Sequence, residues 1–122
     1  MSDKLVARMK KDNIKELTAK INNLQKVIKS LETRMTIVAS DIVTKKRDIE
    51  IYTRRIKSSE ISTTQVDGYI SDIQIAVRSI VYNEKENTEI KSMLFMHNMY
   101  LRSYKEDLQR TIGTTIQTPP KD

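Results

Sequence analysis

Six cations crowd into thirteen residues. Lys45, Lys46, Arg47, Arg54, Arg55 and Lys57, offset by Asp48 and Glu50, leave that stretch at +4. Positive charge at this density suits phosphate oxygens, of a nucleic acid or of an acidic lipid, through contacts that do not read sequence. Nucleic-acid sites often add aromatic rings for stacking, and Tyr52 is the one aromatic residue nearby. The bland alternative is a solvated helix face whose charges pair with carboxylates elsewhere in the chain. A second stripe, Lys4, Arg8, Lys11 and Lys15, falls on one helical face beside Leu5, Val6 and Met9. It has the character of a membrane-surface segment, with an apolar side too small for firm anchoring.

Catalytic chemistry finds no comparable support. His97 is the single histidine, with no neighbouring carboxylate or cysteine, and its place on the apolar side of a helix suits packing or a hydrogen bond. Glu84 with Glu86, and Glu106 with Asp107, pair carboxylates on what their spacing makes exposed helix surface, where nothing shifts a pKa. There is no Gly-rich phosphate loop, nucleophile elbow or metal-spaced His/Glu pair, and no cysteine. The expectation is therefore no catalytic residue, no metal, no cofactor and no small-molecule ligand.

These residues sit in a chain of 122, enough for one domain, with 38% hydrophobic, 31% charged and 5% aromatic residues. Two Gly and two Pro are too few for a loop-rich or all-β fold. The net charge of +6 divides unevenly: residues 1–57 carry +8 and residues 58–122 carry −2. The uncharged run from Ser92 to Leu101 is far below the ~20 residues of a membrane span. Lys10, Lys11 and Asp12 interrupt any apolar leader, so no secretory signal is expected. The expected location is cytoplasmic, or inside an intracellular or viral assembly.

The elements that must position all of this follow from a seven-residue repeat. Ile14, Ile21, Ile28, Met35, Ile42, Ile49 and Ile56 lie seven apart. Leu17, Leu24, Leu31 and Val38 follow three residues after the first four, Tyr52 follows Ile49, and Lys45 is the one charge in that second row. An apolar stripe with alternating gaps of three and four marks a helix packed lengthwise on another helix. Ile in one row and Leu in the other favours two-stranded parallel pairing, but the flanking positions do not confirm it, since only Asp41 with Lys46 makes an attractive pair in that geometry. Val27 and Ala39 widen the stripe, which suits more than one neighbour.

A turn is expected over residues 58–63, where Ser and Thr compete with helical hydrogen bonds. Ser2 can cap the start of the first helix, Asn13 with Glu16 can form a further capping box there, and Ser62 with Gln65, or Thr64 with Asp67, can open a second helix through a capping box. Against a turn, the heptad frame continues in phase through Ser59, Thr63, Val66, Ile70, Ile73, Val77 and Ile80, which keeps an unbroken rod as the alternative. The second helix carries a row at Val66, Ile73, Ile80, Asn87, Leu94, Leu101 and Leu108. Its companions switch from Ile70 and Val77 to Ile90, His97 and Tyr104 across the polar stretch 83–89, which predicts a phase defect or a second short break. Gly113 predicts the C-terminal stop, followed by a flexible tail.

The densest apolar stretch is 93–101. Met93, Phe95, Met96, Met99 and Tyr100 point away from the Leu94–Leu101 side, so the helix is apolar all round there and is expected to meet protein on its outer face. The fold expected is all-α: an elongated coiled coil of two long helices as an antiparallel hairpin, assembling into a larger helical bundle, with a parallel oligomeric rod as the alternative. Its parts are a basic helix over 1–57, a turn over 58–63, a second helix over 64–112 and a tail over 113–122. The function expected is that of a structural scaffold, spacer or adaptor with protein partners or further copies of itself. A basic nucleic-acid-binding accessory protein is the alternative.

Overall fold

The computed structural model describes residues 2–58 and 60–116, with the side chains of 114–116 left aside. Two α-helices of equal length account for nearly all of it: α1, Asp3–Ile56, and α2, Thr63–Ile116, each 54 residues. They contact each other as a hairpin, and no strand occurs among the described residues.

Each helix begins where a side chain takes over an orphan donor. The Leu5 amide donates to Ser2 Oγ at 3.1 Å, so α1 starts beside Ser2 and runs straight through Asn13. At the other start the capping is reciprocal. The Gln65 amide donates to Ser62 Oγ at 3.2 Å, and the Ser62 amide donates to Gln65 Oε1 at 2.9 Å. That box holds Ser62 outside the helix. The in-phase heptad frame does not become one rod: α1 stops at Ile56, and α2 begins at Thr63. The reversal contains no Gly or Pro, and no described residue has positive φ. Thr18, Thr36, Thr53, Thr88 and Thr111 each donate their hydroxyl to the carbonyl four residues back, which satisfies these β-branched polar groups within the helices.

The C-terminal stop expected at Gly113 does not occur there. α2 continues to Ile116, and Gly113 keeps an ordinary helical φ. A glycine inside a helix costs about 1 kcal/mol relative to Ala, too little to end a helix of this length. Most of the tail expected after it lies outside the described residues.

Contacts divide the chain into two compact units, one of Met1–Leu31 with Met93–Asp122 and one of Glu32–Ser92. In the first, Leu17, Ile21 and Ile28 are buried, and Lys20 sits 5.5 Å from the centre of the Tyr104 ring. In the second, Val38, Ala76, Asn83 and Ile90 are buried. Here Arg34 meets Glu86, Asp41 meets Asn83, and the Tyr52 and Tyr69 rings stack with centroids 5.9 Å apart. Partner numbers rise on one helix as they fall on the other, which is the antiparallel arrangement.

Replacing Ser62 by Ala removes one half of the box at the start of α2. The expected loss is about 1 kcal/mol, read as a lower midpoint in thermal unfolding followed by circular dichroism, with the native spectrum unchanged.

Candidate interaction surfaces

On α1 the heptad positions fall on the more covered side of the helix, together with Asp41, Asp48, Ile51 and Thr53. Leu17, Ile21, Ile28 and Val38 are buried, while Ile14, Leu24, Leu31, Met35, Ile42, Ile49 and Ile56 are half-buried. Lys45 keeps its seam position and is half-buried.

On α2 one row matches expectation and the other does not. Val66, Ile73, Ile80, Asn87, Leu94, Leu101 and Leu108 are all half-buried. Their companions, however, are Tyr69, Ala76, Asn83, Ile90, His97, Tyr104 and Thr111, every one buried or half-buried. Ile70 and Val77 stand outside, 43% and 44% exposed. The heptad spacing therefore carries straight through 83–89 without the expected defect. What changes there is chemistry: two asparagines take seam positions. The signal lay in the row already visible at Ile90, His97 and Tyr104, which steps back by sevens to Asn83, Ala76 and Tyr69.

The two asparagines belong to a polar layer in the second unit. Asn83 Nδ2 donates to Asp41 Oδ2. Asp41 thus turns toward Asn83, across the hairpin, and not outward to the Lys46 pairing of a parallel dimer. Beside it the Arg34 guanidinium grips Glu86, with Nη2 at 2.8 and 2.9 Å from the two carboxylate oxygens and Nε at 3.0 Å. This contact holds the Glu86 carboxyl below its ordinary range, through the hydrogen bond first and opposed by partial desolvation. Asn87 Oδ1 is buried with no hydrogen-bond partner among the described residues. His97 is half-buried and its Nδ1 lies 2.7 Å from the Met93 carbonyl oxygen, the contact of a ring N–H donor.

Pointing away from the seam, Met93, Phe95, Met96, Met99 and Tyr100 are 40, 68, 48, 55 and 49% exposed. The structure brings all five to the outer side of α2, within the first unit. A shallow recess of about 260 Å³ lies among Phe95, Asn98, Met99 and Arg102. Larger hollows of about 330 and 360 Å³ lie at the start of α1, the first between Asp3 and Ile14 and the second among Val6, Met9, Lys10 and Asn13. Each of these hollows is lined by one helix.

The six cations of 45–57 are divided. Lys46, Arg47, Arg54, Arg55 and Lys57 are exposed, while Lys45 faces the seam. Arg55 lies 5.7 Å from the centre of the Tyr69 ring. None of the six makes an ion pair among the described residues. No group of three His, Cys, Asp or Glu side chains among the described residues is placed to hold a metal, and no described helix is long and apolar enough to cross a membrane.

Compared with protein-family models, with curated proteins and with solved structures, the chain matches none.

A folded-state pKa held below the ordinary 4.5 means that Glu86 adds stability when ionised. That contribution is complete above the ordinary value and disappears as pH falls through the lower folded one. Glu86→Gln should therefore lower the thermal midpoint at pH 7 and leave it nearly unchanged at pH 2.5. A deficit equal at both pH values would show that the pair is not what the substitution removes.

Proposed function

We propose that this chain is a non-enzymatic structural protein, a helical hairpin that serves as scaffold, spacer or adaptor in a larger protein assembly, by coiled-coil pairing and lateral contacts. The observation that carries this is the outer face of α2. Five large side chains between 93 and 100 stay 40 to 68% exposed once the hairpin has formed. Apolar groups concentrated in that way mark a protein contact. Met dominates the cluster, and its flexible thioether stem adapts to a partner surface.

The test is Met96→Asp with Tyr100→Asp. Both side chains point away from the seam, so helix content by circular dichroism should stay the same while the assembled mass in sedimentation falls. Unchanged mass, or loss of helix, counts against the proposal.

A second function rests on Lys46, Arg47, Arg54, Arg55 and Lys57, five exposed cations close together on α1 and in its C-terminal extension. As a nucleic-acid-binding accessory protein the chain would hold phosphates with these side chains, Lys45 joining only by leaving the seam. Binding to nonspecific duplex DNA at about 50 mM salt should then be measurable and weaken steeply by about 200 mM. Absence of binding at the lower salt removes this function and leaves the structural one intact.

A further inference from the structure

We propose that this hairpin has a second, exchanged arrangement in which residues 57–62 become helical, α1 and α2 join end to end, and two copies pair antiparallel with α1 of each on α2 of the other. The partner is a second copy of this chain, and the surface it uses is the seam already described. The 93–100 face takes no part, so this inference stands apart from the preceding proposal.

The phase of the seam carries the argument. Val38, Lys45 and Tyr52 on α1 and Val66, Ile73 and Ile80 on α2 belong to one series of sevens, and all six are buried or half-buried. A turn re-aims the second helix, so a hairpin places no condition on the two phases. A straightened helix does: its two seams share a side only if their rows share a series. The companion row lies three residues before this series on α1, at Ile49, and three after it on α2, at Tyr69 and Ala76. That moves the centre of the stripe by about 50° across the joint, which leaves both seams on one side of the helix.

Little holds the turn in place. Segment 57–62 contains no Gly and no Pro, and no described residue has positive φ, so nothing in it is barred from a helix. Helical bonding already enters it from both ends. The Lys57 amide donates to the Thr53 carbonyl at 3.2 Å, and the Val66 amide to the Ser62 carbonyl at 3.0 Å. The specific contact that opposes joining is the Ser62–Gln65 box.

Exchange also keeps the contacts of the second unit. The pairs Arg34 with Glu86, Asp41 with Asn83 and Tyr52 with Tyr69 all have their midpoint between residues 60 and 62. A two-fold axis through the straightened segment therefore rebuilds each pair between copies. Exchanging an identical element in this way is a low-cost route to a dimer. A parallel pair would set Asp41 beside Asp41 and leave Asn83 without its acceptor.

The chain has no cysteine, so labels can be placed at will. Ile37 and Lys85 are exposed and lie at one level of the hairpin. The full chain with Ile37→Cys and Lys85→Cys is spin-labelled and refolded in excess unlabelled chain. In the hairpin the two labels stay within roughly 25 Å, two packed helices plus the label arms. Along one continuous helix they stand roughly 72 Å apart. The monomer from size exclusion should give the short distance, and a dimer of twice the 14.2 kDa chain mass the long one. Ser62→Ala with Gln65→Ala removes the box from both copies and should strengthen association on the order of tenfold. Glu60→Pro should abolish the dimer and leave the monomer's helix content and short distance unchanged. A chain that stays monomeric at about 1 mM even without the box overturns the proposal. So does a dimer that keeps the short distance, which is two closed hairpins side by side. A dimer in which Ile37→Cys labels on the two copies lie close together is a parallel rod, and overturns it as well.

Discussion

Two helices touch along a line, and a line cannot enclose a side chain. That constraint governs this molecule. Of the seam residues only Val38 falls to 1% exposure, and most of the others remain half-covered. At about 25 cal/mol per Å² of apolar surface removed from water, a half-covered isoleucine contributes about half of what a core isoleucine does. The hairpin compensates by repetition: the same modest contact recurs every three or four residues. The same geometry leaves the far side of each helix in water. What stands on that far side is set by the sequence, and on α2 between 93 and 100 it is apolar.

Repetition creates a second problem, because identical layers do not specify alignment. Sliding one helix by seven residues would place Ile against Ile again. The polar layer at Asp41 and Asn83 breaks this degeneracy. Displaced by a heptad in either direction, Asp41 would meet Ala76 or Ile90 and lose its donor, and leaving a covered polar group unsatisfied costs about 1–3 kcal/mol. Arg34 and Glu86 act in the same sense from the rim, through a bidentate geometry that neither partner finds one heptad away. A single polar seam position is known to fix register in helical pairs at some expense in stability. The unpartnered Oδ1 of Asn87 shows that expense directly.

This layer is also where hydrophobic periodicity stopped being a guide. α1 was legible because its seam consists of Ile, Leu, Met and Val with little competition from other faces. On α2 the competition is real. Ile70 and Val77 are more apolar than Tyr69 and Ala76, so a search for greasy side chains selects them, although they stand exposed. Asn83 is buried and polar, so the same search reads it as an interruption. Spacing was the better signal than hydrophobicity here. Helix starts were legible through Ser2 and the Ser62–Gln65 box, because capping is local chemistry. The stop at Gly113 was not, because one glycine cannot outweigh the turns before it. The outer patch was visible in sequence as an all-round apolar segment, yet nothing in composition says whether its partner is this chain or another.

The basic stretch shows how the fold reassigns charges that look equivalent in sequence. Lys45 lies four residues after Asp41 and three before Asp48, and all three are half-buried on the side facing α2. A half-buried seam position lowers its value as a phosphate contact. Arg55 lies over Tyr69, whose other neighbour is Tyr52, so this cation also finishes the aromatic layer nearest the turn. Two of the six cations therefore have structural work within the hairpin. The four that remain, Lys46, Arg47, Arg54 and Lys57, are a modest electrostatic footprint.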